Sequence, residues 1–437
     1  MNKEIVVVGG GLAGTECAYF LAEHGYKVTL YEMKPKKFSP AHHSKNLAEV
    51  VCSNSFKNED ELTSSGMLKK EMEQFGSLII SVAKQNRVPA GGALAVDREA
   101  FSKQVTNVVS SHKNITIINE EFTTFEKGKR YVVATGPLTS DNLFKNLTEM
   151  LGDDSLYFYD ASSPIVTKES LDPNCYFVED RYGTVGVGDY INCPLTKEEY
   201  INFYTELINA ESANLHDFEK NEIFEGCMPI EVMAKRGMDA LRYGPLKPVG
   251  LGGHLKEKPY AVVQLRKENV REECFNLVGF QTNLKYGEQK RVFSLIPALK
   301  NAEFIKYGVM HRNSYLNSPK HLNENLSLKK FPNIFIAGQI SGVEGYMEST
   351  ASGILVALSI IAQDNKKEML LNSETMMGAL REYITLPANQ NSFQPMNSNY
   401  GIIKPIEENI KDKKEKRKII LDRSIKNIAS FKKEINV

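Results

Sequence analysis

The most specific chemical signal in the chain is a glycine pattern near its start, Gly9-x-Gly11-x-x-Gly14. The first glycine permits a tight turn, the second lets the backbone approach a pyrophosphate, and the third lets a helix and a strand pack closely. Glu32 lies 23 residues beyond Gly9, near the spacing at which a carboxylate binds ribose hydroxyls. We therefore predict a dinucleotide site formed by Glu32 and by the turn of Gly9, Gly10, Gly11, Leu12, Ala13 and Gly14.

The glycine pattern alone leaves FAD and NAD as alternatives for this site. The string ATG at 134–136 and the late string IFIAGQ at 334–339 each accompany a predicted strand, an arrangement typical of FAD domains built from both ends of a chain. No second GxGxxG occurs, and no two cysteines lie close enough in sequence to form a redox pair. A bound flavin would therefore be reduced by NAD(P)H that docks transiently, or by another donor.

Two of the six cysteines lie in unusual settings. Cys52 precedes the good helix-capping residues 53–55, whose N–H groups would favour a thiolate. Cys227 lies between Gly226 and Pro229, which indicates a constrained loop. From the residues alone, a cysteine is more often a small buried side chain than a nucleophile. The cysteines show no zinc-ligand spacing, so we expect no metal site, and their low number favours the reducing cytoplasm.

The elements that must position these residues alternate between strands and helices. Residues 4–32 read as a strand, a helix and a second strand, residues 65–86 look helical, and residues 115–119 and 131–135 read as strands. After a charged and then glycine-rich middle region, the buried-strand pattern of the N-terminus returns at 333–338. We predict an α/β fold: a Rossmann-like, two-ended FAD-binding domain at 1–190 and 325–437, with an inserted α+β domain at 191–324.

Composition excludes several classes of protein. The 437 residues carry 54 basic and 54 acidic side chains, so the chain is not a globally basic nucleic-acid binder. The uncharged, mostly apolar stretch at 349–363 is 15 residues long, shorter than the roughly 20 apolar residues of a membrane span. The tail from 404 has 11 basic and 6 acidic residues, with apolar residues at helical spacing, and predicts a docked amphipathic helix.

Several strings together are similar to one known family. They include GGGLAGTECAY, LAEVVCSNSF, FEGCMPIEVMAKRG, NLVGFQTNLKYGEQKRVF and IFIAGQISGVEGYMESTASG, and with the other matching strings they extend from residue 9 to 401. The chain thereby resembles the folate- and FAD-dependent tRNA (uracil-5-)-methyltransferases. The related glucose-inhibited-division-type flavoproteins share the FAD fingerprints, but they are longer and their own motifs are not recognised here.

The resemblance implies a reaction and two reactive thiols. The one-carbon unit would come from 5,10-methylenetetrahydrofolate and go to C5 of an RNA uridine, with electrons from reduced FAD that NAD(P)H replenishes. A thiolate must add to C6 of uracil before C5 becomes nucleophilic. By resemblance Cys227 is that nucleophile and Cys52 its partner in proton removal or methylene handling, although the division of roles stays open.

The resemblance also implies further contacts. His311 would cover the folate pterin, and Gly338, Gln339, Gly345 and Tyr346 fall in the late flavin motif. Candidates for RNA phosphates or folate carboxylates are Lys235, Arg236, Lys285, Lys290 and Arg291, for which a solvated charged face is an equal alternative.

The predicted target is the T-loop of tRNA, although a ribosomal RNA uridine would need the same chemistry. A flavin oxidoreductase acting on a small molecule and a non-catalytic RNA-binding flavoprotein are the rival functions. The choice between NADH and NADPH and the oligomeric state stay open.

Overall fold

A computed structural model describes residues 3–152, 156–184, 186–213, 228–269, 271–367, 371–391, 393–407 and 410–437. For residues 156–161 and 311–312 the description covers the backbone alone.

Strands and helices alternate through the N-terminal part of the chain. These elements are β1 Glu4–Val8, α1 Leu12–Glu23, β2 Lys27–Tyr31, β3 Ser55–Asn58, α2 Ser64–Gln74, α3 Leu78–Gln85, β4 Arg87–Val88, β5 Ala93–Val96, α4 Arg98–Ser111, β6 Ile115–Ile118, β7 Tyr131–Val133 and α5 Asp141–Leu151.

Strands predominate in the middle part, and helices in the C-terminal part. The middle elements are β8 Leu156–Ala161, β9 Ile165–Thr167, β10 Phe177–Val178, β11 Tyr190–Leu195, α6 Lys197–Asn209, α7 Ile230–Ala234, α8 Ala240–Tyr243, β12 Ala261–Lys267, β13 Cys274–Leu277, α9 Tyr286–Phe293, β14 Phe304–Lys306 and β15 Met310–Tyr315. The last elements are α10 Ser318–His321, β16 Ile334–Ile336, α11 Tyr346–Asp364, α12 Met376–Thr385 and α13 Lys413–Ile435.

A parallel sheet joins the two ends of the chain. Its strand order is β16-β7-β1-β2-β6, so the late strand β16 lies in the same sheet as the first strand. The helices that follow β1 and β16, α1 and α11, cross closely, because a Cβ on Gly353 would lie 2.3 Å from the Ala13 carbonyl oxygen. The predicted Rossmann-like α/β class is confirmed, and the turns that follow β1 and β16 meet at one edge of the sheet.

A second, antiparallel sheet has its own apolar core. Its order is β10-β11-β12-β13-β9-β14, and helices α6, α7 and α9 contribute buried side chains to the same core. The strands of this sheet run from Ile165 to Lys306, whereas the predicted limits of the inserted domain are 191 and 324. Those limits stay a prediction. Two smaller sheets, β15-β8 and β3-β5-β4, complete the described strands.

The helical structure predicted for residues 65–86 is confirmed, with one break. Residues 65–86 form two helices, α2 and α3, because Gly76 adopts a φ of 71° that ends the first helix. Ser77 then caps α3 by accepting a hydrogen bond from the Ile80 N–H at 3.3 Å.

The C-terminal helix is docked, as its amphipathic pattern predicts. Ile428, Phe431 and Ile435 of α13 are buried, and Lys432 Nζ donates to the Gln74 carbonyl oxygen at the end of α2 at 2.6 Å. Among the described residues, no helix combines the length and the apolar composition that crossing a bilayer requires.

Candidate active site

The glycine turn after β1 has the geometry that a pyrophosphate requires. A Cβ on Gly14 would lie 1.8 Å from the Gly9 carbonyl oxygen, so only glycine permits this packing. A Cβ on Gly11 would meet no heavy atom within 4 Å, so the backbone there faces open space. No side chain caps the start of α1, which leaves its first N–H groups available to an anion.

Glu32 lies at the end of β2, directly beside this turn. Its Oε2 accepts a hydrogen bond from the Gly10 N–H at 2.9 Å, and its Oε1 accepts one from the Lys34 N–H at 3.0 Å. A carboxylate has about four acceptor positions, so two remain for ribose hydroxyls. A cleft of about 630 Å³, counted with its open mouth, is lined by Glu32 and residues 9–11.

The late flavin motif returns to the same edge of the sheet. The Gly338 N–H donates to Ser352 Oγ at 2.6 Å, and a Cβ on Gly338 would lie 3.1 Å from the Ala13 side chain. Gly345 has a φ of 113° and begins α11, again without a side-chain cap. Gln339 Nε2 donates to both carboxylate oxygens of Glu344 at 2.9 Å. The N-terminal ends of α1 and α11, neither of which is capped by a side chain, therefore border one region at this edge of the sheet.

The Cys52 loop is attached to the start of α11. The Tyr346 hydroxyl accepts hydrogen bonds from the Cys52 N–H at 2.8 Å and from the Ser53 N–H at 3.1 Å. Burial raises the pKa of Tyr346, and negative charge on Cys52 adds to this effect. The phenol therefore stays protonated, and the half-buried Cys52 lies beside the late flavin motif.

Two cations bind carbonyl oxygens of the residues that precede Cys52. Arg98, at the start of α4, donates to the carbonyl oxygens of Val50 and Val51 at 2.7 and 3.2 Å. Lys306, at the end of β14, donates to the same Val51 oxygen at 3.2 Å. Burial lowers the pKa of Lys306, and the positive charge of Arg98 lowers it further.

A third cation holds the loop beyond Cys52. Arg266 of β12 donates to Ser53 Oγ at 2.8 Å and to Asn54 Oδ1 at 3.1 Å. Glu268 compensates the charge near this cluster, because its carboxylate accepts from Arg98 Nε at 2.6 Å and from Nη2 at 3.3 Å. Burial alone would lower the pKa of Arg98, but the charge of Glu268 more than offsets this and raises it. Arg98 therefore stays a cation beside Cys52.

One expectation for the Cys52 segment is wrong. The helix-capping residues Ser53, Asn54 and Ser55 do not begin a helix, because the chain continues into strand β3. The feature that accompanies the thiol is the set of three cations, Arg98, Arg266 and Lys306. Sequence reasoning missed all three, although each falls within a string shared with the family: GALAVDRE, AVVQLRKEN and NAEFIKYGVMHRN.

Two other predicted site residues are Cys227 and His311. Cys227 lies outside the described residues. His311 lies in β15, opposite Asp160 of β8, in a stretch where only the backbone is described. Its contact with folate stays a prediction.

The predicted RNA-binding cations differ in their surroundings. Lys285 pairs with Glu211 at 2.6 Å, and Arg291 pairs with Glu288 at 2.8 Å and with Glu206. Lys235, Arg236 and Lys290 are exposed. The charges of Lys285 and Arg291 are therefore partly compensated within the protein.

The remaining described cysteines are Cys17, Cys175, Cys193 and Cys274, and all four are free thiols. Cys17 and Cys193 are completely buried, and burial raises the pKa of both. Within the described ranges, no three His, Cys, Asp or Glu side chains come together as the ligands of a metal ion would.

Comparison with known families and folds agrees with this arrangement. The family described as glucose inhibited division protein A matches residues 4–368. The solved structure of Aquifex aeolicus GidA has a TM-score of 0.69 and 16% identity, over 98% of this chain and 73% of that one. At this identity the likeness shows the fold alone, and the longer GidA chain is consistent with the expected difference in length.

Two relatives are much more similar in sequence. The Fusobacterium nucleatum protein named methylenetetrahydrofolate--tRNA-(uracil-5-)-methyltransferase TrmFO is 53% identical, over 98% of this chain and 99% of its own length. The protein of the same name from Caldicellulosiruptor bescii is 54% identical, over 98% of both chains. The family prediction is confirmed: this chain belongs to the TrmFO family, within the broader glucose-inhibited-division group.

Proposed function

We propose that this chain is a methylenetetrahydrofolate-dependent tRNA uridine C5-methyltransferase that acts on the T-loop in the cytoplasm. The observation that carries the proposal is the attachment of the Cys52 loop to the start of α11, through the Tyr346 hydroxyl at 2.8 Å. This contact places a thiol at the border of the predicted flavin site, where a flavin oxidoreductase for small molecules has no need of one. The relatives from Fusobacterium nucleatum and Caldicellulosiruptor bescii, 53% and 54% identical, carry the name of this reaction.

The residues present fit FAD. Two helix starts without side-chain caps, at Gly11 and Gly345, border one region and suit a bound pyrophosphate and a flavin ring. Glu32 would hold the ribose with its two remaining acceptor positions, and Tyr346 would lie beside the ring. When bound and reduced, FAD supplies the electrons that take the one-carbon unit from the methylene to the methyl level. NAD(P)H is the proposed source of those electrons.

The thiols perform the chemistry at the base. A thiolate adds to C6 of uracil, and the displaced electron pair makes C5 nucleophilic. C5 then bonds to the methylene carbon, and the C5 proton leaves to a base as the carbon–nitrogen bond breaks and the folate amine departs. A hydride equivalent, for which reduced flavin would be the source, would convert the methylene on C5 to a methyl group, and the thiolate is expelled as the C5–C6 double bond re-forms. We assign the C6 addition to Cys227 and the handling of the proton or methylene to Cys52. The target uridine must be unstacked to reach these groups.

The three cations position Cys52 and favour its thiolate. Arg98 and Lys306 fix the carbonyl groups that precede Cys52, and Arg266 fixes the side chains that follow it. A nearby positive charge stabilises a thiolate and so increases its reactive fraction. We therefore propose Arg98, Arg266 and Lys306 as positioning residues.

His311 is the proposed folate contact, and the exposed cations are the proposed contacts to RNA. Lys235 and Lys290 are better candidates than Lys285 and Arg291, because Lys285 and Arg291 already pair with carboxylates. A phosphate would have to compete with those carboxylates.

Mass-spectrometric mapping of 5-methyluridine tests the function and its target. We expect the modification at the T-loop of tRNA in cells with the gene and its loss when the gene is deleted. Restoring wild-type protein should restore it, whereas a Cys227→Ala variant should not. Loss of 5-methyluridine from ribosomal RNA with an unchanged T-loop would contradict the tRNA assignment.

A further inference from the structure

Exposed apolar side chains concentrate on two adjoining loops of the antiparallel-sheet region. Of the ten large apolar side chains that are exposed in the described chain, five lie there. We call this group the tyrosine patch: Tyr182, Val187, Met238, Tyr243 and Val249. The two tyrosines are 76% and 82% exposed. Apolar patches of this kind mark interaction sites.

The two loops form one preformed surface. The Tyr182 N–H donates to the Gly250 carbonyl oxygen at 2.8 Å, and Arg181 Nη2 donates to the Lys247 carbonyl oxygen at 3.1 Å. The Tyr182 ring lies on the backbone of Gly250, where a Cβ would be 2.7 Å from the ring. Only glycine permits this contact, and the ring is held in place before any partner binds.

The charge of the surface identifies the kind of partner. Segments 180–188 and 235–258 together contain seven basic and three acidic residues, in a chain whose net charge is zero. Among the described residues, Lys235, Lys247, Lys256 and Lys258 form no salt bridge, so their charges are available to a partner. Exposed aromatic rings among unpaired cations are the combination that binds unpaired nucleotides, with bases stacked on rings and phosphates on lysines.

The tyrosine patch is also connected to the Cys52 loop. Asp180 Oδ1, beside the patch, accepts a hydrogen bond from the Asp189 N–H at 2.9 Å. The next residue, Tyr190, is paired in register with Arg266 of β12. Arg266 in turn binds Ser53 Oγ. A short run of contacts therefore links the patch to the loop that carries Cys52.

We infer that the tyrosine patch binds the tRNA arm that carries the target uridine. Tyr182 and Tyr243 stack on unpaired loop bases, while Lys235 and Lys247 contact the adjoining phosphates. The inference rests on the proposed function and adds the surface that recognises the substrate. A protein partner would not require the surplus of basic residues in segments 180–188 and 235–258. This surplus therefore favours RNA.

Fluorescence anisotropy with labelled tRNA tests the inference on FAD-loaded protein. The double variant Tyr182→Ala/Tyr243→Ala should raise Kd at least about tenfold, because base stacking on an aromatic ring is worth about 1–3 kcal/mol per base. The double variant Tyr182→Phe/Tyr243→Phe keeps both rings and should bind like wild type. Lys247→Ala should lower the slope of log Kd against log salt by about 1.

The controls separate this inference from the function on which it rests. Leu386→Ala removes an exposed apolar side chain elsewhere and should leave Kd unchanged. If the alanine double variant binds tRNA as wild type does and still transfers labelled carbon from 5,10-methylenetetrahydrofolate to tRNA, the patch inference alone would be overturned. A change of oligomeric state by light scattering without a change in Kd would make the patch a protein interface and would also overturn it. Failure of wild type itself to bind or modify tRNA would refute the proposed function.

Discussion

At Cys52, three cations from distant parts of the chain meet one short loop. Arg98, Arg266 and Lys306 together contact the backbone or side chains of residues 50–54. Each contact joins residues that are between 47 and 255 positions apart in sequence. The charges that favour a thiolate therefore depend on the tertiary fold and not on the residues next to Cys52.

We predict that removing the Arg98 cation makes Cys52 less reactive. The double variant Arg98→Met/Glu268→Gln removes the cation without leaving a buried, unpaired carboxylate. Alkylation of Cys52 by iodoacetamide should slow about tenfold at pH 7, and its rate profile should move to higher pH, because the thiolate loses a stabilising charge. Mass spectrometry of the Cys52 peptide gives the rate.

The matched control for this prediction is Glu268→Gln. It retains the Arg98 cation and removes only the compensating carboxylate, so alkylation should be at least as fast as in wild type. Equal rates for the double variant and for Glu268→Gln at every pH would show that Arg98 does not stabilise the thiolate.

The residues of the dinucleotide turn could be predicted, whereas those around Cys52 could not. Gly11, Gly14 and Glu32 belong to one strand–turn–helix–strand unit, so their spacing in sequence fixes their spacing in space. Lys306 reaches the Val51 carbonyl oxygen, next to Cys52, from a strand 255 residues away, and no local pattern indicates such a contact. The resemblance to a family identified Cys52, but only the fold shows what surrounds it.

Among the helices, buried carboxylates act as caps for helices to which they do not belong. Glu71 of α2 accepts hydrogen bonds from the N–H groups of Met376 and Met377 at the start of α12, at 2.7 and 2.8 Å. It also accepts one from Ser424 Oγ of α13 at 2.5 Å. Glu16 caps α3 in the same way. One carboxylate therefore joins the docked C-terminal helix to two others.

We predict that Glu71 makes stability depend on pH. Burial raises its pKa from 4.5 to about 7, although its three hydrogen bonds act in the opposite direction. The unfolded chain releases this proton from about pH 4.5 upwards, while the folded protein retains it to about pH 7. Stability relative to Glu71→Gln should therefore fall as pH rises through this window, by at most about 3 kcal/mol, and stay constant above it.

Urea unfolding of wild type and Glu71→Gln at pH 5, 6, 7 and 8 measures this difference. The pKa of Glu16 is also raised to about 7, but Glu16 is present in both proteins and its contribution cancels. A difference in unfolding free energy that is the same at every pH would contradict the prediction.

The helices themselves were easier to predict than the positions where they end or contact one another. Apolar spacing correctly indicated helical structure at 65–86 and in the tail, because one face of each helix is buried. The break at Gly76 and the carboxylate cap of Glu71 depend on backbone conformation and on a helix about 300 residues later. The apolar periodicity of the sequence therefore indicates neither the break nor the cap.

At the scale of the whole molecule, the two ends of the chain build one sheet and the middle builds another. The parallel sheet brings the glycine turn and the late flavin motif to one edge, and Arg266 and Lys306 of the antiparallel sheet reach across to the Cys52 loop. The candidate site therefore depends on both sheets. A net charge of zero is compatible with RNA binding, because the positive charge is local to the tyrosine patch and its surroundings.

The most direct test of the proposed function is transfer of labelled carbon from 5,10-methylenetetrahydrofolate to a tRNA transcript, without S-adenosylmethionine. With FAD and NADPH present, wild type and a Cys175→Ala control should incorporate the label into the T-loop. Cys52→Ala and Cys227→Ala should retain FAD and incorporate none. Undiminished incorporation by both of these variants, or a strict requirement for S-adenosylmethionine, would contradict the account.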